Sequence, residues 1–284
     1  EIGLELKFLN GRIGFDGTYY HQESHDLLIS QPVAPSSGFQ YKYNNIGKIR
    51  NTGLELAVDA TVIDEKDFSW NIAVNWAKNN NKVLELAPGV TELAVATGFN
   101  TPRSYAIVGE PFGVFYGAKY QRDDNGNLLI NPASGLPILE STEQKIGDPN
   151  RNWTMGINNS FTYKGINLSV LLDIRNGGDI WNGTWSTMNA RGKTLESQDR
   201  ERTYVIDGVY ASGANAGQKN TTEIAATTYF GGGYLGRAGS ETDIQSGSWF
   251  RVRLINLSYA FNLAKKYPNS PVRNLEVGVS LKNM

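Results

Sequence analysis

The 284-residue chain contains no cysteine, and this absence excludes several classes of protein. Without thiols there is no disulfide scaffold, no thiol nucleophile and no cysteine-based zinc site. The sequence also lacks a run of the roughly 18 to 20 apolar residues that a membrane-spanning helix requires. Its formal net charge is −1, so charge gives no reason to expect a nucleic-acid partner.

Histidine is scarce as well, and candidate metal or catalytic groupings are weak. The two histidines, His21 and His25, would lie on the same face of a strand. Because zinc requires three or four ligands, we favour ordinary positions at the rim of the sheet over a metal site. The stretch DDNGN (123–127) resembles the beginning of a calcium loop, but Ser134 stands at the twelfth position, where an EF-hand has Glu. A polar hairpin tip is the alternative, and whether a cation binds near Asp123 stays open. No nucleophile–base or paired-carboxylate arrangement stands out, so we predict no enzyme activity, no cofactor and no metal site.

What the sequence does have is strict alternation, as in GLELAVDATVIDEKDFSWNIAVNW (53–76). Apolar residues recur at every second position from Leu54 to Val62 and again from Phe68 to Trp76, opposed by polar residues. A period of two indicates half-exposed β-strands. The same pattern recurs from the first residues, EIGLELKFLNG, to the last, NLEVGVSLKNM.

Short turns and long loops alternate between these strands. The predicted short connections are Asn10-Gly11, Asp64–Asp67, Lys164-Gly165 and the segment NLAKKYPNSPV, and the long loops run over about 31–48, 87–152 and 177–248. A soluble sandwich mixes loop lengths at both ends, whereas a bacterial outer-membrane barrel has short periplasmic turns and long outer loops. The alternation therefore favours an antiparallel transmembrane β-barrel segment of about eight strands.

The two faces of these strands have opposite chemistry. We predict a lipid-facing set consisting of Leu54, Leu56, Val58, Ile72, Val74, Leu168, Val170, Leu172, Val277 and Val279. We predict a lumen-facing set consisting of Glu55, Asp59, Asn71, Asn75, Asp173 and Arg175. Charges on so many strands are costly in a dry core but suit a wet lumen. One strand changes phase near Leu254, where a β-bulge would restore the alternation.

Several motifs in family order carry a resemblance. They are NIGKIRNTGLELAVDATVIDEKDFSWNIAVNWAKNNNKVLEL, VGEPFGVFYGAKY, IGDPNRNWTMGINNSFTYKGINLSVLLDIRNGGDIWN and SWFRVRLINLSYAFN. Together they resemble the barrel of SusC/RagA-type TonB-dependent outer-membrane transporters over most of the chain. The resemblance implies a 22-stranded barrel with an N-terminal plug, located in the cell outer membrane as a multi-pass protein. It also implies a SusD-like surface lipoprotein as partner, energy from the TonB complex, and a glycan or peptide as substrate.

On this interpretation residues 1–284 are a partial barrel domain. Both ends of the chain stop inside a strand pattern. Edge strands with unpaired backbone N–H and C=O groups tend to pair with further strands. We therefore expect the plug, the TonB box and the last barrel strand to lie outside this sequence.

Aromatic residues in the long loops are the candidates for binding a substrate or partner. They are Trp181, Trp185, Tyr204, Tyr210, Tyr229, Phe230 and Tyr234, with Phe112, Phe115 and Tyr116 from the segment Val108–Tyr120. Exposed rings stack on sugars or anchor a partner, whereas buried rings only pack the loops together. Both interpretations stay open at this point.

Two alternative functions also stay open. Within the same class, the chain would be a siderophore or vitamin receptor barrel. In a different class, it would be a soluble β-sandwich module that binds carbohydrate or acts as an adhesin. Neither the substrate nor the oligomeric state follows from the sequence.

Overall fold

The computed structural model describes residues 1–45, 47–96, 102–237, 240–266 and 271–284. The strands in chain order are β1 (Ile2–Phe8), β2 (Ile13–Ser24), β3 (Leu28–Pro32), β4 (Tyr41–Asn45), β5 (Lys48–Asp64), β6 (Phe68–Glu85), β7 (Glu92–Ala96), β8 (Arg103–Ile107), β9 (Val114–Gly117), β10 (Leu129–Ile130), β11 (Gln144–Gly147), β12 (Arg151–Tyr163), β13 (Ile166–Gly177), β14 (Asp179–Trp181), β15 (Thr203–Tyr204), β16 (Val209–Tyr210), β17 (Ile224–Ala225), β18 (Ile244–Ser246), β19 (Trp249–Asn262) and β20 (Asn274–Lys282). The helices are α1 (Gly183–Ala190), α2 (Ala226–Thr228) and α3 (Leu263–Lys266), with 3-10 turns at Pro35–Ser37 and Glu241–Asp243 and a π-helical turn at Tyr229–Gly233.

Eight long strands form one antiparallel sheet in the order β1-β2-β5-β6-β12-β13-β19-β20. Every neighbour in the sheet is the next long strand along the chain, which is the up-and-down connectivity of a barrel wall. The prediction of about eight antiparallel strands is confirmed. In the described residues, β1 and β20 each pair with one neighbour and not with each other, so this sheet is open.

The predicted alternation of short and long connections is also confirmed. Lys164 and Gly165 make a two-residue turn with φ values of 47° and 88°, which fits the hairpin turns that need positive φ at both positions. The Asn10-Gly11 turn is longer than predicted: Phe8 pairs with Ile13, so the loop has four residues. The connection from α3 to β20 includes residues 267–270, which lie outside the described residues.

Strand β19 contains a β-bulge at the predicted position, where the alternation of apolar and polar residues changes phase. Leu171 pairs with Leu254 while Leu172 pairs with Val252, which leaves Arg253 as the extra residue of β19. A second register shift lies between Thr61 and Ile63 of β5. It makes Val62 the extra residue, so Val62 is not part of the continuous apolar row that the alternation predicts for it. In both places the insertion of one residue keeps apolar side chains on the same face of the sheet.

The buried cores lie in the long loops and at the long-loop end of β5 and β6. One cluster contains Val83, Leu86 and Ala106, and the other contains Ile130, Ile206 and Ile224. In contrast, apolar side chains of the sheet are open, for example Val277 (57% exposed) and Val279 (65% exposed). An apolar face of this extent is stable only when something apolar covers it.

None of the described helices has the length and apolar character to cross a membrane.

Candidate functional site

Polar side chains form continuous rows across one face of the eight-stranded sheet. Asn71 lies opposite Ser160, Ser160 opposite Ser169, Ser169 opposite Asn256, and Asn256 opposite Ser280. Directly paired residues project to the same face, so this row spans five strands. All six residues of the predicted lumen set project to this face, which we call the polar face.

The other face carries the complementary apolar rows. Val58 pairs with Val74, Val74 with Ile157, Ile157 with Leu172, and Leu172 with Val252. The rows align because the pairing of neighbouring strands places most apolar residues opposite apolar residues and most polar residues opposite polar ones. A shift of one residue in any strand would move its apolar set to the polar face.

Aromatic residues mark the short-turn end of this apolar face. Trp70 stacks on Phe161 with ring centroids 5.6 Å apart, and Tyr259 meets Phe261 edge-on at 4.5 Å. The Trp70 indole N–H donates to the side chain of Asn159, at 3.3 Å, which gives this amide on an otherwise apolar face a partner. Trp and Tyr favour the depth at which lipid meets water, so the cluster fits a membrane boundary.

Hydrogen bonds and close packing hold the side chains of the polar face. The bulged Arg253 donates to Asp173 at 2.6 Å, and Ser258 donates to Glu276 at 2.6 Å. The Arg175 guanidinium donates to the carbonyls of Gly177 and Pro149, both at 3.3 Å, so it ties the end of β13 to the loop before β12.

Glycines on neighbouring strands leave room for two of the predicted lumen residues. Asp59 lies over Gly14, and Asn75 lies over Gly156, at positions where a Cβ atom would overlap their side chains. Beside Asp59, a groove of about 130 Å³ is also lined by Asn71 and Ser160. The polar face therefore has an irregular surface with open space between its side chains.

A second group of candidates lies in the long loops, where several rings are brought together. Tyr204 stacks on Tyr229 at 4.5 Å, Phe230 meets both edge-on at 5.2 and 4.9 Å, and Tyr234 joins Tyr229 at 5.4 Å. Tyr120 extends this group by its contact with Tyr234 at 5.6 Å. We call these five residues the aromatic cluster, which packs against the core of Ile130, Ile206 and Ile224.

Burial and ion pairing stabilise the cluster. Burial raises the pKa of Tyr120 to about 12, and burial also raises the pKa of Tyr229 and of Tyr234. Beside them, Arg122 and Glu241 form a two-point contact at 2.7 and 3.1 Å that joins two different long loops. The cluster thus links the loop after β6 to the loop after β13.

The remaining ring candidates lie apart from the aromatic cluster. Tyr210 is buried and its hydroxyl lies 2.9 Å from that of Thr222. Trp181 ends β14 and covers Gly183, while Trp185 is half-buried in α1. The structure therefore separates these three rings instead of joining them in one binding surface.

The rings of the segment Val108–Tyr120 differ in accessibility. Phe115 and Tyr116 are half-buried in β9, where Tyr116 meets Tyr105 edge-on at 5.5 Å. Phe112 is 38% exposed, and its backbone is held by Asn81 at 2.7 Å and by Asn150 at 3.0 Å. Phe112 is the ring most available to a partner in this segment.

The histidines and the DDNGN stretch take other roles. His21 and His25 lie 3.5 and 3.8 Å from Glu23, whose carboxylate also meets Lys48 at 2.7 Å. The Asp123 carboxylate accepts hydrogen bonds from Asn125 and Asn127 in a hairpin tip, and the Asn127 side chain lowers its pKa. Within the described ranges there is no group of three or more acidic, histidine or cysteine side chains that could hold a metal ion.

Sequence reasoning missed one cavity in the loop after β13. Its walls include Asn189, Arg191, Arg200 and Phe230. No motif signals it, because its residues come from separate parts of a loop that only the tertiary structure brings together.

Comparisons with known proteins agree with this geometry. The family described as TonB dependent receptor-like, beta-barrel matches residues 1–138. TonB-dependent receptor P3 of Formosa agariphila is 28% identical over 254 residues, covering 74% of this chain and 25% of that protein. TonB-dependent receptor SusC of Bacteroides thetaiotaomicron is 30% identical over 184 residues, covering 60% of this chain and 18% of that protein.

Solved structures show the same fold. The RagAB peptide importer in its closed-closed state superposes with a TM-score of 0.72 at 20% identity, covering 99% of this chain and 30% of that chain. Its open-open state gives a TM-score of 0.71 at 19% identity, with the same coverage. The chain thus spans less than a third of the length of the matched chain in each of these four comparisons.

These matches define the class: the chain has the β-barrel fold of TonB-dependent receptors, a family of outer-membrane transporters and not of enzymes. Within that class, the chain is similar in sequence to SusC and similar in fold to the RagAB importer. The resemblance read from the sequence motifs is confirmed.

Proposed function

We propose that this chain forms part of an outer-membrane barrel that imports a glycan or a peptide in a TonB-dependent manner. The observation that carries this proposal is the in-register division of eight strands into one apolar and one polar face. Lipid covers the apolar rows, and the polar face lines a hydrated lumen. The buried cores in the loops leave the apolar rows of the sheet uncovered, as a lipid-facing wall requires.

The proposal includes the rest of the barrel and its partners. The open edges at β1 and β20 pair with further strands of the same receptor, because unpaired edge N–H and C=O groups are not tolerated inside a bilayer. A plug fills the lumen, the TonB complex supplies energy, and a SusD-like lipoprotein covers the long loops. The similarity to SusC and to RagAB supports this arrangement.

Transport is tested by uptake in the bacterium that carries the full-length receptor. Deleting the receptor gene is expected to abolish uptake of one labelled class, either oligosaccharides or oligopeptides, and deleting TonB is expected to have the same effect. Re-expressing the receptor restores uptake only in the TonB-positive strain. Uptake that survives the loss of TonB would contradict the proposal, and loss of siderophore or vitamin uptake alone would support the alternative receptor type.

A prediction about the lipoprotein concerns Phe112, Phe115 and Tyr116. If these rings form the surface on which the lipoprotein sits, Phe112→Ala is expected to reduce its co-purification with the full-length receptor severalfold. This substitution removes an exposed ring and leaves the backbone bonds to Asn81 and Asn150 in place.

The double variant Phe115→Ala/Tyr116→Ala is the comparison, because both rings also pack inside the four-stranded loop sheet. Receptor abundance in the outer membrane is measured in parallel by immunoblot. Reduced co-purification at unchanged abundance supports a partner surface. If abundance falls in step with co-purification for every variant, the rings are structural and the assignment fails.

A further inference from the structure

The loop after β13 contains a cavity of about 220 Å³ whose described lining includes two arginines and no acidic residue. It lies between the C-terminal end of α1, the segment 191–200 and the turn that carries Phe230. This volume is below the roughly 300–1,000 Å³ of pockets for drug-sized ligands, so the cavity fits one terminal group of a larger molecule. Phe230, a member of the aromatic cluster, gives it one apolar wall.

Two arginines at the cavity have no acidic partner. In the described part of the chain, neither Arg191 nor Arg200 has a carboxylate within ion-pair distance, and no Asp or Glu is among the described lining residues. Arg200 donates one bond, to the carbonyl of Gly192 at 3.2 Å. The nearby Asp199 carboxylate accepts backbone N–H bonds from Glu201 and Arg202, at 3.3 and 3.2 Å.

A buried amide lies in the cavity wall. Asn189 is fully buried, and its side-chain oxygen accepts from the Thr194 hydroxyl at 2.6 Å. Its side-chain nitrogen has no partner among the described residues. A buried donor left unpaired is unfavourable.

We propose that this cavity binds a carboxylate group of the ligand, with Arg191 and Arg200 as the charged donors and Phe230 as the apolar wall. A planar carboxylate matches the paired N–H groups of a guanidinium, and such charge-assisted bonds are stronger than neutral ones. Two ligand classes carry this group: an acidic sugar residue of a glycan, and the C-terminus of a peptide. The inference rests on the proposed function only in that the ligand is taken to be the imported substrate.

The test measures binding to the purified full-length receptor in detergent by isothermal titration calorimetry, with probes up to millimolar concentration. One probe pair is D-glucuronate and its uncharged methyl ester, and the other is Gly-Phe and its C-terminal amide. One acid is expected to bind at least about tenfold more tightly than its uncharged derivative, and the pair that shows this preference identifies the source of the carboxylate.

The variants Arg191→Gln and Arg200→Gln are each expected to weaken binding of that acid about tenfold, the loss typical of one hydrogen bond to a charged group. Lys193→Gln is the matched control, because it removes one positive charge from the same segment at an exposed residue that is not part of the cavity wall. Its effect should stay within about twofold. Hydrogen exchange of the loop verifies that each variant remains folded.

Three results would overturn the proposal: neither acid is preferred over its derivative, the arginine variants bind normally, or Lys193→Gln weakens binding as much as they do. Because binding is measured without import, a failure here is distinct from a failure of TonB-dependent uptake. Uptake that persists in the arginine variants at saturating substrate leaves the proposed function intact.

Discussion

Replacing Ile72 with Arg is expected to destabilise the full-length barrel in lipid vesicles by roughly 2 to 4 kcal/mol. Ile72 lies halfway between Phe68 and Trp76 of β6, opposite Asn159 of β12, on the apolar face that we assign to lipid. A guanidinium at that position would lose its hydration without gaining a partner. The measurement is the free energy of unfolding from a guanidinium chloride titration followed by tryptophan fluorescence.

Asn71→Arg is the matched control. Asn71 is the preceding residue on the same strand at nearly the same depth, but it projects to the polar face, where it accepts from Thr61 at 2.9 Å. Its replacement should cost far less, since the new charge reaches water in the lumen. Equal destabilisation by both variants would mean that Ile72 does not face lipid.

Replacing Gly236 with Ala is expected to loosen the long loop after β13 by about 1 to 3 kcal/mol, as overpacking does at tightly packed positions. Gly236 is buried, and a Cβ atom there would overlap the backbone carbonyl of Phe230 and lie 2.9 Å from Cα of Ala190. Backbone atoms on both sides cannot yield as a flexible side chain can. The measurement is hydrogen exchange of amides in α1, compared with amides in β12 and β13.

Gly231→Ala is the control for this substitution. Gly231 has a φ of −79°, and a Cβ atom there meets nothing within 4 Å. The same chemical change should therefore leave exchange in α1 almost unaltered. Faster exchange in both variants would indicate that the loop responds to the loss of glycine as such, and not to the overlap at position 236.

Local patterning was sufficient to predict the main sheet. Alternation, turn residues and connection lengths predicted its eight strands and the bulge at Arg253 because each depends on neighbouring residues or on one strand's periodicity. The turn after β1 was wrong in length, since Asn10-Gly11 is compatible with both two- and four-residue loops. The polar face could also be predicted from the sequence, because the pairing of the strands keeps the polar residues of each alternating pattern on the same face of the sheet.

The long loops could not be predicted in the same way. The aromatic cluster combines Tyr120 from one long loop with Tyr204, Tyr229, Phe230 and Tyr234 from another, and the cavity beside it brings Arg191 and Arg200 to the wall that Phe230 forms. These contacts join residues far apart in the chain and without periodicity. The sequence by itself determined the strands, their two faces and the resemblance to TonB-dependent receptors, because these follow from local alternation and from motifs. Only the tertiary structure decided which loop rings are buried, which stay open and where a cavity with two arginines in its wall forms, because packing between distant segments leaves no repeating pattern in the sequence.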